Sequence, residues 1–367
     1  MLRSLQACRA VAALLVVLLH TSQSIFALPK YFGHKPFGPI FDFGFAGVDF
    51  FFVLSGFLMM HVHAADFGQP RKLGAYLWKR FTRIYPAYWV VFAAILPVLM
   101  LIPSFGLDCN RDPTVALRAF FLFPHPQSYQ VVGVAWTLVY EIFFYCLFAL
   151  LVLNKRIGAL VFFAWAACIV VQPGLPDFPW SFLFSQQHLR FLAGIGVALI
   201  LARWQLPFPR AIAVTGGIVF FGAGMLDAYF GPIDYWLHLM GYTLGSAFML
   251  AGLVQAERSG LLHPPGWLVY LGNASYAIYL VHFFALSITA KVAVALHLEA
   301  YVPSSILFGL FVVIAVGAGC VFHHLVEKPL HQWTKRYFVH AEPRVHVTPA
   351  IRKAARHRRK RRIAART

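Results

Sequence analysis

Arg9 and His20 lie eleven positions apart in one apolar run. At 3.6 residues per turn that is just over three turns. A helix therefore sets both on one face, separated by roughly 16 Å along its axis. A guanidinium at a helix end and an imidazole deep in the same helix can join anion binding to proton or group transfer. The plainer reading is a basic anchor and a histidine bonded between helices. Arg80 and Arg83, in Lys79-Arg80-Phe81-Thr82-Arg83-Ile84-Tyr85-Pro86, are one turn apart. Two guanidiniums so placed make a fork suited to phosphate oxygens, or alternatively to lipid headgroups. Glu141 stands alone in an apolar run with Thr137 one turn before it on the same face. It needs a partner, and His20 is the expected one. A carboxylate there would fix the imidazole's tautomer and stabilise its charged form. Asp49, in Gly47-Val48-Asp49-Phe50, would either orient a substrate or lock two helices. Asp49, Tyr85 and His282 are the candidate substrate-binding positions. His61-x-His63 has the spacing of a metal pair but no acid or cysteine close by in sequence, so no metal site is expected.

These side chains are informative because of the elements that carry them. The chain has 367 residues, of which 60% are hydrophobic and only 12% charged. A soluble domain carries about 25% charged residues, so a soluble enzyme, a disordered chain and a fibre are excluded, and an all-α polytopic membrane bundle is left. Apolar runs long enough to span a bilayer fall at 10–28, 44–62, 84–103, 134–153, 157–173, 187–203, 211–229, 236–256, 268–290 and 305–326. Residues 113–123 form a shorter apolar stretch, expected to be interfacial or re-entrant. An ionisable group inside such a span costs at least ~2.5 kcal/mol unless it is paired or faces a cavity, which singles out His20, Asp49, Glu141 and His282. The first span has the basic start and apolar core of a leader, but it carries His20 and nine spans follow, so it is read as retained.

Ten crossings put both termini on one side. With the N-terminus inside, twelve of the Lys and Arg before Lys328 fall on inner segments and six on outer ones. The positive-inside rule therefore predicts cytoplasmic termini. A further 13 lie between Lys328 and Thr367. Residues 1–338 are read as the membrane domain and 339–367 as a basic, disordered cytoplasmic tail. A tail of this kind is solvated or associates with anionic lipid; without interleaved aromatics it is not expected to bind nucleic acid.

Taken in order, these motifs resemble one family. They are Arg9 with His20; Gly47-Val48-Asp49 through Ser55-Gly56-Phe57; Arg80-x-x-Arg83-Ile84-x-Pro86; Trp136-Thr137 with Glu141; Ser275-Tyr276-Ala277-Ile278-Tyr279-Leu280-Val281-His282; and Glu327-Lys328-Pro329. The sequence is similar to the acyltransferase 3 family of bacterial integral-membrane acyltransferases over residues 1 to about 338. The stretch Trp136 to Tyr145 resembles the subgroup that acetylates exopolysaccharides. Val139 departs from that subgroup, which often has a polar residue there, and this puts the acceptor in question.

The resemblance implies an O-acyltransferase of the bacterial inner membrane, moving an acetyl group from acetyl-CoA to a hydroxyl of a surface, secreted or lipid-linked carbohydrate. It implies His20 as the catalytic residue, Glu141 as the matching carboxylate, and Arg9, Arg80 and Arg83 as needed for activity; as guanidiniums at the cytoplasmic face, these three would hold the donor's phosphates. No metal enters this chemistry. His20 would act either as general base or as an acyl-accepting nucleophile. Membrane lipid and polysaccharide-assembly proteins are the further expected partners. The main rival reading is a proton-coupled transporter or flippase for a polysaccharide precursor, with His20, Glu141 and Asp49 as its relay; a third is a non-catalytic subunit of a polysaccharide-assembly complex.

Overall fold

The computed structural model describes residues 2–102, 112–125, 130–171, 177–231 and 234–341. Among these residues every regular element is helical. In order they are α1 (Arg3–Leu19), α2 (Ala46–His63), α3 (Leu73–Leu101), α4 (Pro113–Phe120), α5 (Trp136–Leu153), α6 (Lys155–Val171), α7 (Trp180–Leu183), α8 (Gln187–Arg203), α9 (Pro209–Phe230), α10 (Tyr235–Arg258), α11 (Gly266–Ala295), α12 (Ser304–Phe322) and α13 (Lys328–Ala341). Two π-helical turns interrupt the series: His20–Phe26 continues α1 and His323–Glu327 joins α12 to α13.

Each expected span coincides with a helix. Eight helical segments are long and apolar enough to cross a membrane; α6 and α8 have 17 residues each and fall short of that length. Lipid-facing positions stay apolar, as at Phe163 and Val313, which are 76% and 68% exposed. The third helix begins at Leu73 rather than near residue 84, so Arg80 and Arg83 sit within a helix and not ahead of one. Residues 342–367, most of the expected tail, lie outside the described residues.

The bundle is organised around α1, which packs on α2, α10, α11 and α12. Its first free N–H groups, which a helix cannot satisfy internally, are met by the Glu257 carboxylate at the end of α10. Arg3 N and Ser4 N donate to it at 2.8 and 2.7 Å. In lipid, burial of apolar surface does not drive helices together, so close packing of small residues must. At the contact of α2 with α8, a Cβ on Gly194 would lie 1.9 Å from the Val53 carbonyl oxygen and one on Gly56 2.0 Å from that of Phe191. Only glycine permits these backbone approaches.

The short stretch after α3 folds as α4 and packs back on α3. Its C-terminal carbonyls, orphaned by the end of the helix, accept from α3 side chains: Tyr88 Oη to Ala119 at 2.6 Å, Trp89 Nε1 to Phe120 at 2.9 Å and Tyr85 Oη to Phe121 at 2.9 Å. Pro86 lacks the N–H that would bond the Thr82 carbonyl, and His331 of α13 lies beside the Thr82 backbone. α13 thus packs beside the N-terminal half of α3.

Candidate active site

A cavity of about 660 Å³ opens among α1, α2, α3, α5, α11 and α13. Arg9, Arg80, Arg83 and Glu141 all line it, as do Lys79, His331 and Lys335. Four helices thus deliver to one space the charges that the sequence shows only as scattered positions. Arg9 lies within electrostatic reach of Arg83, Glu327 and Glu141.

Each arginine of the α3 pair is held by its own set of partners. Arg80 Nη2 lies 3.1 Å from His63 Nε2, and His63 Nδ1 lies 2.9 Å from Asp66 Oδ2. The arginine can only donate, so His63 Nε2 accepts and its Nδ1–H donates to Asp66. Lys72 Nζ closes this chain on Asp66 Oδ1 at 2.6 Å. The sequence reading saw no acid beside His61-x-His63; Asp66, three residues on, is that acid. Arg83 Nη1 meets Glu327 Oε1 at 3.2 Å, and Glu327 Oε2 accepts from His323 Nδ1 at 2.7 Å. Arg80 stands over the Tyr145 ring and Arg83 over the Tyr276 ring, each at 5.5 Å, an arrangement in which a cation gains from the ring's negative face.

Glu141 and His20 do not pair, which corrects the sequence expectation. Glu141 Oε1 accepts from Ser55 Oγ at 3.2 Å and from the Tyr145 hydroxyl. The reason is helix neighbourhood: α5 packs against α2 and α3, whereas the end of α1 faces α11. His20 instead meets His282, with Nδ1 and Nε2 3.0 Å apart. His20 Nδ1 is also 3.1 Å from the Val16 carbonyl oxygen, and the Phe283 ring packs edge-on at 5.4 Å. His20 opens the first π turn, a distortion common at functional sites.

The histidine pair is one aromatic layer beyond the cavity. Phe51 and Tyr279 line the cavity with their rings 6.2 Å apart, and the Tyr279 ring is 5.9 Å from that of His282. Tyr279 is held from the other side by Thr137 Oγ1 and the Val134 carbonyl, both at 2.9 Å.

Two expected substrate positions are placed elsewhere. Asp49 is buried in an ion pair with Arg190 Nε at 2.7 Å, which ties α2 to α8; of its two sequence readings, the helix lock is the one this geometry fits. Tyr85 faces α4, its hydroxyl taken by the Phe121 carbonyl. Neither lines the cavity. His282 is fully buried on His20, with no lining surface of its own. Nothing local in the sequence marks Asp66, Tyr145, His323, His331 or Lys335 as part of the site, or Glu327, within Glu327-Lys328-Pro329, as a partner of Arg83.

A bundle of apolar helices enclosing a charged internal cavity defines a multi-pass membrane protein. The model of the acyltransferase 3 family, described as an acyltransferase domain, matches residues 2–324, and the chain belongs to that family. It is 28% identical over 309 residues to the exopolysaccharide production protein ExoZ of Rhizobium meliloti (strain 1021), covering 80% of this chain and 91% of that one. It is 24% identical over 286 residues to a protein of Staphylococcus aureus (strain COL) named as a candidate O-acetyltransferase, covering 66% of this chain and 46% of that longer one. No solved structure matches the chain significantly.

Proposed function

We propose that this acyltransferase moves an acetyl group from acetyl-CoA to a hydroxyl of a secreted or lipid-linked polysaccharide, in the bacterial cytoplasmic membrane with both termini inside. With α6 and α8 counted as short crossings the bundle spans ten times, and the basic excess then favours cytoplasmic termini. The reading extends to this chain the exopolysaccharide and O-acetyl chemistry named for its relatives.

The observation that carries it is the convergence of Arg9, Arg80 and Arg83 on one cavity. Three guanidiniums, two of them held by protein partners, suit a donor with several phosphates. The phosphates stay with these arginines while the thioester arm runs inward past Phe51 and Tyr279 toward His20. Neutral His20 takes the proton of the acceptor hydroxyl as that oxygen bonds to the thioester carbonyl carbon. The C–S bond breaks, and the departing thiolate takes the proton back. In the variant route the histidine nitrogen itself accepts the acetyl group and passes it to the hydroxyl. Glu141 acts here as counter-charge among the arginines and as anchor for Tyr145, not as the partner of His20.

The test is transfer of label from acetyl-labelled CoA to polysaccharide in membranes carrying wild type or His20→Ala. Label that vanishes with His20 supports the reading. Label retained in His20→Ala removes His20 from the chemistry, and no label from wild type with the correct polysaccharide present points to the transporter class.

A further inference from the structure

We propose that His282 is a positioning residue that fixes the tautomer of His20, leaving His20 Nε2 as the bare, reactive nitrogen. This rests on the catalytic reading of His20 and deepens it.

The hydrogen-bond chain has only one consistent direction. His282 Nδ1 lies 2.7 Å from the Tyr279 carbonyl oxygen and 3.1 Å from that of Ile278. Carbonyl oxygens only accept, so Nδ1 carries the hydrogen, and in the neutral ring Nε2 then has the lone pair. That lone pair faces His20 Nδ1 at 3.0 Å. Were His20 Nδ1 bare, it would oppose both this lone pair and the Val16 carbonyl oxygen 3.1 Å away. His20 Nδ1 therefore carries hydrogen, and Nε2 is left without one. Among the described residues no protein group hydrogen-bonds His20 Nε2. His282 is fully buried, so water does not compete for its nitrogens. Its neighbour Phe283 packs edge-on against the His20 ring, so two successive residues of α11 set both tautomer and ring plane.

The arrangement does the work that a carboxylate does in hydrolytic triads, holding the imidazole in one tautomer and orientation, but with a neutral acceptor. A carboxylate deep in the bundle would carry a desolvation cost that an imidazole anchored on two backbone carbonyls avoids. When His20 Nε2 takes the hydroxyl proton, the new imidazolium keeps its Nδ1–H bond to His282 Nε2, and returning the proton to the thiolate restores the starting state. No further reactant is needed.

The experiment compares His282→Leu, His282→Gln and His20→Gln with wild type in nanodiscs. It reads kcat and donor KM for acetyl transfer together with the ¹⁵N resonances of labelled histidine, His20 being assigned by difference from His20→Gln. Expected are a wild-type His20 signal with protonated Nδ1 and bare Nε2, and a fall in kcat of about 100-fold or more in His282→Leu. Donor KM should stay within about twofold, because the arginines that bind the phosphates lie elsewhere. His282→Gln, whose amide oxygen can accept the same hydrogen, should recover part of the loss. The inference is overturned by a wild-type His20 protonated on Nε2, by His282→Leu retaining wild-type kcat, or by a loss in His282→Leu with an unchanged His20 tautomer. Should His282→Leu fail to bind donor, the wild-type spectrum and His282→Gln decide the matter. If His20→Gln is itself fully active, the functional reading fails rather than the role of His282.

Discussion

Arg83 on α3 and Glu327 in the π turn after α12 meet at 3.2 Å, although 244 residues separate them. Glu327 is buried and also accepts from His323. It thus holds a cavity-lining guanidinium from behind and leaves the rest of the arginine fork facing the cavity. A hydrogen bond between charged groups contributes about 1.5–3 kcal/mol, so its loss should register in donor binding. Glu327→Gln is expected to raise the KM for acetyl-CoA about tenfold, equivalent to about 1.4 kcal/mol, with a smaller effect on kcat. Donor saturation curves at fixed acceptor read this directly; an unchanged KM would remove Glu327 from donor binding.

Arg80 depends on a different support, the chain from Asp66 through His63. His63→Leu should free the guanidinium without removing its charge, weakening CoA binding less than Arg80→Ala does. Calorimetry with CoA and dephospho-CoA separates the phosphates. A larger loss for CoA than for dephospho-CoA in Arg80→Ala assigns Arg80 to the 3′-phosphate. Equal losses would move it to the pyrophosphate.

Asp49 and Arg190 are predicted to matter for stability rather than for substrate. Both are buried, 5% and 4% exposed at their side chains. Removing one partner of such a pair strands the other charge at a cost of about 3–5 kcal/mol, whereas replacing both by apolar residues is often tolerated. Asp49→Leu alone should therefore reduce folded yield and thermal stability in detergent, and Asp49→Leu with Arg190→Leu should restore much of it. If the double variant were as stable as wild type yet inactive, the pair would have a role beyond locking α2 to α8.

Phe51 lines the cavity against Tyr279, whose ring in turn faces His282. Phe51→Trp enlarges the aromatic layer past which the proposed donor's thioester arm would run. Since small displacements of reacting groups cost up to about 100-fold in rate, transfer should fall by roughly tenfold or more while CoA binding stays near wild type. Parallel weakening of both would show that Phe51 shapes the whole cavity and not the passage alone.

The sequence by itself determined the class of molecule and most of the charged inventory. Apolar runs of bilayer length, with so few charges inside them, admit no soluble fold. His20, Asp49, Glu141 and His282 were visible within their spans as groups needing a partner or a cavity, whereas Arg190, inside the 187–203 run, was not marked as the partner of Asp49. The spacing of Arg80 and Arg83 also showed that one helix face carries both, because helical period is a local property of the chain. Tertiary structure alone decided who partners whom. Glu141 met Tyr145 and Ser55, His20 met His282, Asp49 met Arg190, and Tyr85 turned to the end of α4. Periodicity states which residues share a face but not which neighbour that face meets. The neighbour is set by how helices rotate and approach, here through contacts as close as those at Gly56 and Gly194. A membrane interior makes a partner for every buried charge obligatory, but leaves its identity to the packing.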